Sequence, residues 1–327
     1  MTDAEMTERG RTAAARVRQA LEHRVLGQAG AVEGLLAGYM ARGHVLLEGL
    51  PGVGKTLLAR SFAEGLGLGF SRVQFTPDVM PADLIGTNVF DAPSTSFRLV
   101  KGPVFTSVLM ADEVNRTPPK TQSALLEAMQ ERQVSIDGRT HALPAGFFVI
   151  ATQNPVEFEG TYPLPEAQLD RFLLRLGVGY PDRAQEIAMY QAALAGTLAG
   201  WSDERPLPAV VDAGETEALR LVTGGVHVAA ELLDYVASLV AAVRSSPHLD
   251  IGVSPRGALS LIEVARAGAF LEGRDFVIPD DLKRWLFPCW GHRLLMRPES
   301  ELEGVTVPGL LDEIAKAVPV PKAGAPA

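Results

Sequence analysis

Gly49-Leu50-Pro51-Gly52-Val53-Gly54-Lys55-Thr56 decides how this chain is read. It has the form G-x-x-x-x-G-K-T, the phosphate-binding loop, and its flanks are the ones that loop needs. His44-Val45-Leu46-Leu47 is an apolar run that reads as a buried parallel strand. Thr56 to Gly65, opening Thr56-Leu57-Leu58, reads as a helix. Glycines let the backbone curl so that successive N–H groups converge on phosphate oxygens. The helix that follows adds the positive end of its dipole. Lys55 is then expected to reach the β- and γ-phosphates, and the Thr56 hydroxyl to hold Mg²⁺. The expectation is a nucleoside triphosphate held by residues 49–57.

Two further strand ends carry chemistry. Ser107-Val108-Leu109-Met110-Ala111 is apolar and runs into Asp112-Glu113. In a parallel sheet ligands bind at the carboxyl ends of the strands, beside the phosphate loop. Asp112 is expected in the Mg²⁺ shell, and Glu113 is expected to orient water and accept its proton. Phe147 to Thr152 is another buried run, ending in Gln153-Asn154-Pro155. The Asn154 amide there can bond the γ-phosphate or the water; an Asn-Pro turn is the plainer alternative. Arg171 opens a fifth apolar run, Leu173 to Val178. It is either an ordinary salt-bridged arginine or an arginine finger, a fixed guanidinium serving a phosphoryl group, in a neighbouring subunit if its own loop is too far away.

Around these lie the connecting segments. Residues 1–10 are polar and read as loose, and Arg11 to His23 as a first helix. Val25-Leu26-Gly27-Gln28 breaks that helix and is a candidate floor for the adenine ring. Phe70 to Phe75 alternates as a strand. Val89–Asp91 and Phe97–Val100 flank a polar turn as one hairpin; Val134–Ile136 and Thr140–Leu143 flank Asp137-Gly138 as a second. Thr117-Pro118-Pro119 opens a helix with Thr117 as its cap. Beyond Tyr180-Pro181 helical periodicity takes over, its last helix reading as Pro279 to Leu286. There Ser254-Pro255-Arg256 sets Ser as cap, Pro at the first helical position and Arg in the first turn. A cation at that end opposes the helix dipole; a phosphate would relieve it, as would a carboxylate.

The 327 residues are 47% hydrophobic and 21% charged, as a folded protein requires, with net charge −9. That charge argues against a broad nucleic-acid-binding face. Cys289 is the single cysteine, so no internal disulfide forms, and it reads as a core residue. The N-terminus lacks an apolar signal region, and no apolar run is long enough to span a bilayer, so a cytoplasmic protein is expected.

Taken together, the chain resembles the MoxR family of AAA+ ATPases. The most specific strings are Thr76-Pro77-Asp78 with Pro81-Ala82-Asp83-Leu84-Ile85-Gly86, Ala111-Asp112-Glu113-Val114-Asn115-Arg116 with Pro118 to Met129, and Pro165-Glu166-Ala167-Gln168-Leu169-Asp170-Arg171-Phe172. The resemblance implies an α/β fold, an αβα core with a five-stranded parallel sheet (residues 1–180). An all-helical lid (212–318) would follow, and composition adds a linker with a helix (181–211) before it and a disordered tail (319–327) after it. The resemblance implies a homo-oligomeric ring, usually a hexamer, binding ATP and Mg²⁺ between subunits. Asp112 and Glu113 then match the Walker B pair, Asn154 sensor 1, Arg171 the trans-acting arginine finger and Arg256 the sensor 2 arginine. The hairpins match insertions that face the pore in related rings. The implied role is a chaperone that matures, assembles or inserts metal into client proteins, often with a partner bearing a von Willebrand factor A domain. The competing expectations are a nucleic-acid motor and a monomeric kinase or switch. Against the motor, residues 84–100 carry Arg98 and no other Lys or Arg.

Overall fold

The computed structural model describes residues 3–154, 160–201, 203 and 205–321. Five strands form one parallel sheet in the spatial order Phe70–Gln74, Val108–Asp112, Phe148–Gln153, His44–Glu48, Phe172–Gly177. The central strands are apolar nearly throughout because helices cover both faces. Parallel pairing has a direct consequence for function. All five carboxyl ends lie along one edge of the sheet and all five amino ends along the other. Register places Glu48 level with Gln153 and Gln74 level with Asp112, so the phosphate loop, the acidic pair and Asn154 share the carboxyl edge. His44 is level with Phe172, which puts Arg171 at the amino edge.

Both expected hairpins are present, as Gly86–Asp91 with Ser96–Lys101 and Gln133–Ile136 with Arg139–Ala142. In the second, Asp137 and Gly138 both have positive φ (47° and 77°), the two-residue turn that suits strand twist. The Asn88 side chain donates to Asp137 Oδ2 at 2.8 Å, tying the hairpins together.

Three local expectations are corrected. The first helix starts at Asp3, not Arg11. Arg9 pairs with Asp212 at 2.8 Å, and Gly10 lies so close to Val222 that a Cβ would meet it at 2.8 Å, so tertiary contact orders a polar segment. Thr117 is not the cap of the helix Pro119–Glu131; Pro118 holds that position, and Thr117 is buried. The helix expected to stop at Leu286 continues to Trp290 through Pro288. Trp290 is fully buried and donates to Gly257 O at 2.9 Å, an anchor that outweighs the proline's cost.

The lid comprises Ala230–Arg244, Pro255–Leu271, Pro279–Trp290 and two shorter helices, Pro298–Leu302 and Val307–Ala317. Between them sits one short antiparallel ladder, Leu249–Ile251 with Leu295–Met296. A continuous buried cluster joins Val17 and Leu21 of the first helix to Leu47 of the sheet and Val264 and Trp290 of the lid. Of the tail expected to be disordered, residues 322–327 lie outside the described residues. Among the described residues, no helix is long and apolar enough to cross a membrane.

Candidate active site

The loop after His44–Glu48 needs its glycines for two different reasons. At Gly49 a Cβ would stand 2.2 Å from Val178 O, so backbone approach forbids a side chain. Gly52 and Gly54 have φ of 83° and 88°, a left-handed region costly for other residues. No atom lies within 4 Å of a Cβ built at either, so this face of the loop is open. Lys55 is half-buried, and its ammonium donates to Gly49 O and to Leu50 O, the latter at 3.2 Å. Burial lowers its pKa, while Asp112, Glu113 and Glu48 oppose that shift, so all three carboxylates act on this ammonium. Thr56 follows in the first turn of the helix Lys55–Gly65.

The acidic pair is held by neighbours from two strands. Thr152 Oγ1 donates to Asp112 Oδ1 at 2.6 Å and accepts from Glu113 N at 2.8 Å. One buried hydroxyl therefore fixes both residues. Glu113 sits at φ 57°, ψ 50°, a conformation costing a non-glycine residue about 1–2 kcal/mol. On the other side, Arg72 Nη2 binds Asp112 Oδ2 at 2.6 Å, and Gln74 Nε2 binds Glu113 Oε2 at 2.6 Å. Arg116 Nη1 adds a second donor to Glu113 at 3.0 Å. Removing the hydroxyl by Thr152→Val leaves the Glu113 N–H without its acceptor. The expected result is a kcat lowered about 10–100-fold with ATP affinity nearly unchanged, since the reacting groups are displaced but the loop is not. A kcat close to wild type in steady-state assays would reduce Thr152 to a packing role.

Asn154 is buried at the end of the neighbouring strand, beside the loop, whose Gly49 N donates to Gln153 O at 3.4 Å. Pro155, the other half of the Asn-Pro turn considered above, lies outside the described residues.

A cavity of about 360 Å³ opens beside Gly52–Gly54. Val25, Leu26 and Leu57 line it, as expected of a base site. Gly27 and Gln28 do not. Gly27 turns the chain at φ 80°, and Gln28 is buried with its amide donating to Gly179 O at 2.9 Å. Both hold the segment that follows the last strand, with Gly27 packed against Pro181 of the cavity wall. The opposite wall is Tyr180, Tyr190 and Trp201, three exposed aromatics that sequence reading missed. The available signal was the spacing of Glu186, Met189 and Tyr190 on one helix face, directly after the last strand.

The structure does not bring Arg171 or Arg256 to this site. The sheet strand between the two edges is five residues, a length of about 16 Å, beyond the reach of an arginine side chain from its amino end. Both arginines instead line a separate cavity with His44. A network sets them side by side. Ser254 caps its helix by accepting from Gly257 N at 3.1 Å and also bonds Asp170 at 3.3 Å. Asp170 is paired with the buried Arg293 at 2.7 Å. The lid helix carrying Arg256 is thus fastened to the residue preceding Arg171. His44 stays neutral there, its pKa pushed by burial to about 4, with its ring bonded to Met129 O and Val149 N.

Comparison with known proteins agrees with this layout. The family model described as "ATPase family associated with various cellular activities (AAA)" matches residues 44–174, and the AAA lid domain model matches 241–314. The chain is 44% identical to the uncharacterized protein YeaC of Bacillus subtilis over 88% of both chains. It is 40% identical to Chaperone MoxR1 of Mycobacterium tuberculosis, covering 92% of this chain and 80% of that one. The crystal structure of a putative ATPase from Cytophaga hutchinsonii superposes with a TM-score of 0.88 at 37% identity, over 98% of each chain. A phosphate loop, a strand-end acidic pair and a helical lid in this topology, with that level of identity over nearly the whole length, place the chain in the MoxR family of AAA+ ATPases.

Proposed function

We propose that this ATPase is a chaperone working as a homo-oligomeric ring, a hexamer in its simplest form, with each ATP shared by two subunits. One observation carries the reading. Lys55, Asp112, Glu113 and Asn154 gather at the carboxyl edge of the sheet, while Arg171 and Arg256 stand together at the amino edge. Arg72 and Arg116, near the acidic pair, are already engaged with Asp112 and Glu113. A site in which Arg171 and Arg256 act on phosphate is complete only when a neighbour presents its amino edge.

Within that site the loop N–H groups and Lys55 hold the phosphates. Thr56 and Asp112 fit a divalent cation: a hydroxyl and a carboxylate fixed by Thr152, both oxygen donors, with no cluster of three or more His, Cys, Asp or Glu among the described residues. Mg²⁺ bound there supplies neutralisation of charge on the phosphate oxygens. Glu113 orients water and takes its proton, and the Asn154 amide bonds the water or the γ-phosphate. The neighbour's Arg171 and Arg256 stabilise charge on the transferring phosphoryl group.

The client is a protein. The first hairpin presents an exposed edge-to-face pair, Phe90 and Phe97, with centroids 5.5 Å apart, flanked by exposed Val89 and Val100. Exposed apolar surface of this kind suits contact with a protein chain. Maturation, assembly or metal insertion, action in the cytoplasm, and a von Willebrand factor A domain partner are consistent with the MoxR resemblance. The test is the solution mass of Glu113→Gln by light scattering, alone, with ADP and with Mg-ATP. A shift to about six subunits with Mg-ATP is expected. A monomer in every condition, with wild-type ATPase independent of protein concentration, would overturn the ring.

A further inference from the structure

The cavity shared by Arg171 and Arg256 holds more positive charge than those two residues supply. It encloses about 280 Å³, and Arg42 and Arg132 line it with them. Among the described residues, no carboxylate pairs with Arg42, Arg132, Arg171 or Arg256. The carboxylate on the cavity wall, Glu263, is taken by Arg266 at 3.1 Å, and Asp170 by Arg293 at 2.7 Å. In a chain of net charge −9, this is a local concentration of guanidinium groups awaiting an anion.

Arg132 and Arg42 are not equivalent. The Arg42 Nε donates to Arg220 O at 3.1 Å, which ties that guanidinium to the helix Ala213–Leu221. Arg132 ends the helix Pro119–Glu131 in a left-handed conformation, φ 51°, fixed on both sides: its N–H donates to Ala128 O at 3.0 Å and its O accepts from Leu143 N at 2.9 Å. Its side chain is half-buried, and Nη2 donates to Arg42 O at 3.1 Å. Burial, then the Arg220 and Arg42 charges, press its pKa downward. A guanidinium held by one nitrogen beside other cations is pre-organised for a doubly charged oxygen ligand, and its planar fork matches phosphate.

We propose that Arg132 is a third guanidinium that this face gives to the nucleotide of a neighbouring subunit, contacting its polyphosphate alongside Arg171 and Arg256. This rests on the shared-site reading above. A purely structural Arg132 would only hold the Arg42 carbonyl and complement the helix end.

Mixed rings separate the two. Arg132→Gln keeps its own Lys55 and Glu113 but presents a defective face; Glu113→Gln has a dead site but an intact face. Arg132→Gln alone should lose about 10²–10³-fold in kcat, as for one removed transition-state donor, with Mg-ATP binding to the dissociated subunit unchanged by calorimetry. Adding Glu113→Gln subunits should then restore turnover several-fold per Arg132→Gln subunit. Arg171→Ala mixed with Glu113→Gln runs in parallel. Recovery in both mixtures supports the proposal. Recovery with Arg171→Ala but not with Arg132→Gln overturns it and leaves the shared site standing. Recovery in neither overturns the shared site, and the proposal with it. If Arg132→Gln loses its helical circular dichroism, Arg132→Lys, which keeps the cation at the helix end but not the fork, takes its place in the same assay.

Discussion

Glu113→Gln is expected to bind Mg-ATP as tightly as wild type and to hydrolyse it about 10²–10⁴-fold more slowly, the range for loss of a positioned general base. The geometry favours so clean a separation. The amide is nearly isosteric, so the bonds from Gln74 and Arg116 to Oε2 can be kept. The strained backbone of Glu113 is held through its N–H by Thr152, a contact the substitution leaves alone. Asp112 keeps Thr152 and Arg72, so the cation position is intact. Lys55 loses one of three opposing carboxylates, and Asp112 and Glu48 remain to keep it charged. Single-turnover assays with pre-bound ATP check this. Hydrolysis above about a tenth of the wild-type rate would place the proton acceptor elsewhere and make Glu113 an electrostatic bystander.

The parts of the site legible in the sequence are those set by local backbone geometry. The loop from Gly49 to Thr56 needs positive φ at Gly52 and Gly54 and close approach at Gly49, and only glycine supplies them. The Asp137-Gly138 turn is legible for the same reason. What escaped depends on which strands become neighbours. Arg72 and Gln74 point the same way by strand alternation, but nothing local says that their strand lies against the acidic pair. Thr152 reads as one more residue of an apolar run, although its hydroxyl bridges Asp112 and Glu113. Tyr180, Tyr190 and Trp201 stand on three successive segments and meet only because the end of the last strand, the next helix and a loop converge on the phosphate loop. The polarity of residues 3–10 hides the start of the first helix; its order comes from Arg9–Asp212 and from Gly10 against Val222 and Phe270, contacts more than 200 residues apart in sequence.

Arg171→Ala is expected to lower turnover by about 10³-fold or more while each subunit still binds ATP, because in the proposed shared site its guanidinium serves the neighbour's reaction and not its own loop. Arg171 follows Asp170, which is anchored by Arg293 and Ser254, so removing the side chain leaves the strand start in place. No described carboxylate pairs with Arg171, so little stability is expected to go with it, in contrast to Arg293, which is buried in bonds to Asp170 and to Phe172 O. The two arginines therefore make opposite predictions: Arg293→Ala should lower the melting temperature by removing one member of a buried charged pair, and Arg171→Ala should not. Trans action has its own signature. Arg171→Ala and Glu113→Gln subunits are each nearly inactive, yet a mixed ring contains interfaces joining an intact Glu113 site to an intact Arg171 face. Turnover should pass through a maximum as the mixing ratio is varied. A flat, inactive profile at every ratio, with mixed rings verified by mass, would assign Arg171 to the structure of its own subunit.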